Sequence, residues 1–227
     1  MAIVTLTGHL GSMGTIDERV AEALGYSLLD RELLVEAAQA LGWDEQEVQA
    51  FDERTHGQGG RLTRLLRAFL EHSPGAIGDS EGLSLLAATY AETAATGMQP
   101  RDRRYIEALK ALMSQVAERG DAVIVGRGGQ AVLAGWRDVV HVRVVCDLDE
   151  RIRRVAERDS MSADAARARV LDSDQQREAW HQKYFNIDYR SPYLYHLVVN
   201  SGWLTDEQAS ELVVQLVRAL TEVSSAG

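Results

Sequence analysis

Between Gly8 and Thr15 the chain reads Gly-His-Leu-Gly-Ser-Met-Gly-Thr, three glycines with two hydroxyl side chains among them. Glycines let successive backbone N–H groups turn toward one point, and a helix starting just beyond adds the positive end of its dipole, so the stretch suits an anion such as phosphate. Ser12 and Thr15 offer hydroxyls to that phosphate or to a magnesium ion. A glycine-rich turn between strand and helix, with no ligand, explains the same residues, because short glycine patterns are weak signals. The full phosphate-loop pattern G-x-x-x-x-G-K-[ST] is not met: counted from Gly8, Met13 stands at the second glycine and Gly14 at the lysine. A triphosphate held here needs its cation from elsewhere.

Arginines further along can supply it. They gather at Arg151, Arg153, Arg154, Arg158, Arg167, Arg169 and Arg177, and on a helix Arg151, Arg154 and Arg158 share a face. Guanidinium forks hold phosphate bidentately, and one well-placed arginine is worth about 10³ or more in phosphoryl transfer. The alternative is a solvated helix face paired with Glu150, Glu157 and Asp159. Asp30 follows a short apolar piece and opens a helix; it is an N-cap worth about 1 kcal/mol, or it positions an acceptor or holds magnesium through water. His9 is an exposed loop residue, or a phosphate contact when protonated. His56, His72, His141, His181 and His196 lack metal-ligand spacing and Cys146 has no partner cysteine, so no zinc site is expected. Trp180, Tyr184, Tyr189, Tyr193 and Tyr195 read as packing of an arginine-rich helix against the last strand, the alternative being a cover for a base.

These residues need a scaffold, and hydrophobic periodicity supplies one. Ile3–Thr7 is a buried strand that runs into the glycine loop; Ile16–Leu24 is a helix stopped by Gly25. Tyr26–Leu29, Ala122–Val125, Val139–Val145 and Leu194–Val199 are further apolar strands. Helices are expected at 101–119, 150–158, 163–182 and 205–223, and residues 43–100 read as an all-helical insertion. Five apolar strands separated by helices predict a three-layer α/β/α domain with a five-stranded parallel sheet. Ligands in such folds bind at the carboxyl ends of the strands, which are followed here by Gly8–Thr15, Asp30 and Arg31, Gly126–Gly129 and Cys146–Asp149.

The ordered set of the GSMG loop, GYSLLDREL, GDAVIVGRGG, VRVVCDLDERIRR, DSDQQR and YLYHLVVNSG resembles the cytidylate kinase-like family over about residues 2 to 220. The resemblance implies a P-loop NTPase-type fold with an Arg-rich helical lid at about 150–190, one domain with a core at 1–42 and 101–223, and ATP with Mg²⁺ as phosphoryl donor. It implies that Gly8, Gly11, Ser12, Met13, Gly14 and Thr15 bind phosphate, that Asp30, Arg31 and Arg127 bind the acceptor, and that Arg151, Arg154, Arg177 and Asp174 serve catalysis. From their own chemistry, Thr15 and Asp30 are the candidate magnesium residues. Arg127 matches the arginine of a G-R-D signature whose aspartate is here Gly128.

Composition sets the bounds. The 227 residues carry 34 Asp plus Glu against 24 Lys plus Arg, a net charge of −10, which argues against a nucleic-acid partner. Only Lys110 and Lys183 of those cations are lysines. No apolar run reaches the roughly 20 residues of a membrane span. MAIVTLTGHLG lacks the basic start and apolar stretch of a signal peptide, and the single Cys146 suits a reducing compartment, so a cytoplasmic protein is expected. Nucleotide ligands are the expected partners, and a homodimer is admitted. The first function is a nucleoside monophosphate kinase-like phosphotransferase (EC 2.7.4 type) with CMP or dCMP as first acceptor. The alternatives are a catalytically impaired nucleotide-binding sensor or partner protein and a ligand-free interaction module.

Overall fold

The computed structural model of the chain describes residues 2–29 and 100–225. Asp30, Arg31 and the helices expected within 43–100 lie outside the described residues. The chain divides into two compact units, residues 1–31 with 113–227 and residues 32–112.

In the first unit, β1 (Ile3–Gly8), β2 (Ser27–Leu29), β3 (Ala122–Val125), β4 (Val139–Val145) and β5 (Leu197–Asn200) form a parallel sheet of order β2-β3-β1-β4-β5. Its strands are short, β-branched and buried, as a sheet covered on both faces requires. In register, Leu6 of β1 lies between Val125 and Val142. The helices α1 (Ile16–Leu24) and α6 (Asp206–Ser225) set Ile16, Val20, Val213 and Val217 against Val4, Leu6, Val142 and Val144. The amphipathic stripe of α1 is what drives this docking. Gly25 ends α1 in the left-handed conformation that glycine reaches without strain, returning its N–H to the carbonyls of Ala21 and Glu22.

The helix α2 (Pro100–Arg119) runs into β3, and a single turn α3 (Gly129–Val132) follows it. After β4 come α4 (Leu148–Arg158) and α5 (Ala163–Phe185), joined through Ile152, Val155, Ala166 and Val170. The expected last strand began at Leu194, but Pro192–Leu194 forms a 3₁₀ turn and the strand starts at Leu197. Pro192 fixes the turn there, and ladder pairing resumes at His196, whose N–H donates to the His141 carbonyl at 2.7 Å.

Two buried histidines make the fold acid-sensitive. His141 is 6% exposed, its Nδ1 2.7 Å from the Thr5 hydroxyl; His181 is 2% exposed and donates Nδ1–H to the Arg177 carbonyl at 2.8 Å. Burial is the main cause that lowers each from 6.5 to about 4. Between those values the unfolded chain binds more protons, so the stability present above pH 6.5 is lost as pH falls toward 4, on the order of 2–3 kcal/mol per histidine. Thermal melts will show a flat midpoint above pH 7 and a fall from pH 6.5 to 4, shallower in His141→Gln; an unchanged slope in that variant would refute the assignment.

Candidate functional site

The glycine loop leaves the carboxyl end of β1, the sheet's central strand. Ser12 is fully buried; its N–H donates to the His9 carbonyl at 3.1 Å, and its hydroxyl is shared between that carbonyl at 2.9 Å and the Val144 carbonyl at 3.2 Å. The hydroxyl expected to face phosphate thus ties the loop to β4. At Gly11, φ is +83° and a Cβ would lie 2.8 Å from the Arg151 carbonyl oxygen, so only glycine lets α4 come this close.

The loop's far end meets an unexpected partner. Thr15 donates its N–H to Asp206 Oδ2 at 2.7 Å and its hydroxyl to the same oxygen at 3.0 Å. Gly14 has φ +58°, and a Cβ on it would collide with the Asp206 carboxylate. A carboxylate from the first turn of α6 therefore sits at the amino end of α1, where the dipole and exposed amides favour negative charge. The turn before α6 is fastened at its other end too: the Ser201 hydroxyl donates to the Ser12 carbonyl at 2.7 Å.

The clustered arginines part into two sets. Arg153 pairs with Glu150 and Glu157, and Arg158 and Arg169 pair with Asp159, so for these the solvated-face alternative holds. The hydrogen bonds from Arg153 and Arg154 hold the Glu150 carboxyl down at about 2. Arg154 donates to Glu150, to the Ser201 hydroxyl at 3.2 Å and to the Ser201 carbonyl at 2.7 Å, bracing the turn that holds the loop. Arg151 is 6% exposed and donates a fork to Asp174 at 2.9 and 2.8 Å; among the described residues its buried Nε has no hydrogen-bond partner.

Around His9 the charges converge. His9 Nε2 is 3.0 Å from the Tyr189 hydroxyl, and its ring faces the Tyr189 ring at 5.7 Å. Tyr189 is buried, stacked on His181 at 4.6 Å, and accepts at its carbonyl from the Tyr195 hydroxyl at 2.6 Å. Burial pushes the Tyr195 phenol up to about 12. Arg143 places its guanidinium 5.7 Å from the Tyr189 ring centroid and 6.0 Å from that of Tyr195, and donates to the Arg190 carbonyl at 2.6 Å. His9 is lowered to about 4, first by burial and then by Arg151, Arg177 and Arg143, with Asp174 opposing. The expectation of an exposed loop histidine is corrected: His9 is half-buried among these groups. Tyr193 is 97% exposed, outside the packing expected of it.

On the other side of β1, Arg127 lies 6.0 Å from the Trp180 ring centroid. A Cβ at Gly128 would meet the Phe185 ring at 2.6 Å, so Phe185 fills the room that the G-R-D aspartate would need. Next to it Gln130, 1% exposed, accepts from the Thr7 hydroxyl at 3.0 Å.

Asp206, Arg143 and Gln130 were not singled out from sequence. The signals were faint: an acidic first turn for Asp206, and for Arg143 a cation inside the apolar run VVHVRVV. For magnesium, the Thr15 hydroxyl and the Asp206 carboxylate are the hard oxygen donors that this ion takes, so the residues present fit it. Among the described residues no group of three or more His, Cys, Asp or Glu is arranged to hold a metal by itself, and no helix is long and apolar enough to cross a membrane.

A parallel sheet of order 2-3-1-4-5, with a glycine loop leading from its central strand into a helix, defines the three-layer α/β/α fold of P-loop kinases. The model of the cytidylate kinase-like family matches residues 3–202, and the chain belongs to that family. It is 28% identical over 106 residues to a cytidylate kinase of Ignicoccus hospitalis, covering 47% of this chain and 61% of that one. It is 29% identical over 129 residues to a cytidylate kinase of Pyrococcus horikoshii, covering 56% and 60%. The chain thus spans about three fifths of the length of these relatives. A solved structure from Eubacterium ventriosum, titled an uncharacterized protein, superposes with a TM-score of 0.64 at 15% identity over 96% of this chain and 99% of that one, a likeness of fold.

Proposed function

We propose that the chain transfers the γ-phosphoryl group of ATP, with Mg²⁺, to a nucleoside monophosphate, CMP or dCMP first. The acceptor's phosphate oxygen attacks the γ-phosphorus, the bond to the β-bridging oxygen breaks, and ADP leaves. The protein's part is positioning and positive charge. The observation that carries this is the convergence of Arg143, Arg151 and Arg177 on His9 of the glycine loop, with buried Nε–H groups of Arg143 and Arg151 lacking partners among the described residues of an acidic protein. Gly8, Gly11, Gly14 and Thr15 form the phosphate cradle and Ser12 and Met13 shape it. Arg127 binds the acceptor together with Asp30 and Arg31, and Arg154 holds the turn at Ser201 in place. Trp203, 83% exposed on that turn, offers a face to the donor base. Thr15 and Asp206 would hold magnesium, which would supply positive charge against the phosphates.

A coupled assay for ADP with CMP, dCMP, UMP, AMP and GMP tests the reading. Turnover is expected with a pyrimidine acceptor, and Arg177→Ala should lower it about 10²-fold or more, far more than it lowers fold stability. No turnover with any acceptor rejects the kinase. A second reading, a nucleotide-binding protein with impaired catalysis, draws on Gly14 in the lysine's place and on the Asp206 carboxylate at Thr15. It predicts calorimetric binding of ATP with no ADP formed.

A further inference from the structure

Three guanidinium groups, those of Arg143, Arg151 and Arg177, and one carboxylate, Asp174, act on the His9 ring. Among these four groups the cations outnumber the carboxylate, in a chain of net charge −10. Against Nε2 stands the neutral Tyr189 phenol at 3.0 Å, with His181 stacked behind Tyr189. Such a setting keeps an imidazole unprotonated until an anion arrives. Arg143 and Arg151 each keep a buried Nε–H without a partner among the described residues, donor capacity that an anion can use. The loop that carries His9 is also the one that lacks a lysine, at Gly14.

We propose that His9 supplies the loop's missing cation, taking a proton from solvent when a polyphosphate binds and donating from its imidazolium to a phosphate oxygen in exchange for its hydrogen bond with Tyr189. The Tyr189 hydroxyl is then released to donate to the same anion. Phosphate binding therefore takes up a proton, because the negative charge that enters the enclosure outweighs the arginines that disfavour imidazolium in the free protein. The proposal rests on the loop's holding a polyphosphate, as in the function proposed above, and adds the group that neutralises it.

Calorimetry of tripolyphosphate and of ATP binding, at pH 6.0 in two buffers of different ionisation enthalpy, reads the proton uptake directly. The wild type should take up close to one proton more per site than His9→Gln, bind about tenfold more tightly than that variant at pH 6.0, and converge on it at pH 8. In His9→Lys, tight binding should become independent of pH. The His9 ring proton resonance should move to the imidazolium position on saturation at pH 6.0. Binding with equal proton uptake in wild type and His9→Gln overturns the proposal and leaves the loop's phosphate-binding role standing. Absence of binding by all three proteins overturns both.

Discussion

With magnesium chelated, Asp206→Asn will bind ADP or tripolyphosphate about tenfold more tightly than the wild type, by calorimetry at pH 7.5. In the free protein, the Thr15 N–H and hydroxyl that a β-phosphate would use both donate to Asp206, at 2.7 and 3.0 Å. A phosphate must either displace that carboxylate or sit beside it. Charge-assisted hydrogen bonds of this kind contribute about 1.5–3 kcal/mol, and partial exposure brings the difference toward the lower value, roughly a factor of ten. Asparagine keeps a cap for the amino end of α1 while removing the charge, so the fold should lose only a few tenths of a kcal/mol to about 1 kcal/mol. Magnesium should narrow the gap, since its charge would offset the repulsion between carboxylate and phosphate. Equal affinity in wild type and variant without metal would mean that the anion does not use the Thr15 amide.

This contact marks where sequence reading stops. Ile16–Leu24, Ala122–Val125 and Val139–Val145 could be bounded from sequence to the residue, because a buried parallel strand is a continuous apolar run and a helix face recurs every three or four positions. The family resemblance placed the loop and the arginines for the same reason, as short contiguous patterns. Nothing contiguous records that Asp206 lies against a residue 191 positions earlier, or Tyr189 against one 180 positions earlier. Those pairs exist because the crossovers of a parallel sheet deliver distant loops to one edge. The same cause sends the Ser12 hydroxyl inward: a small polar side chain next to the β4 carbonyls donates to Val144 at 3.2 Å. Arg154 illustrates the converse. Its helix and face were legible, but its partner was set by Ser201, on a turn whose place follows from β5 pairing with β4.

Arg151→Ala will cost roughly 2–3 kcal/mol of stability, a fall of about 5–10 °C in the melting midpoint, and will also reduce turnover by 10² or more. The stability loss follows from the pair it breaks. Arg151 is 7% exposed in its side chain and Asp174 24%, so truncation strands a largely buried carboxylate, and the upper range for such losses is trimmed by what water reaches Asp174. The two effects come apart in Arg151→Met with Asp174→Leu. An apolar pair of similar volume removes both buried charges, and the midpoint should return to within about 1 kcal/mol of the wild type. Turnover should stay low, because neither replacement can donate to a phosphate oxygen during transfer. Recovery of turnover along with the midpoint would make Arg151 a strut between α4 and α5, leaving Arg143, Arg177 and His9 as the cations of the loop.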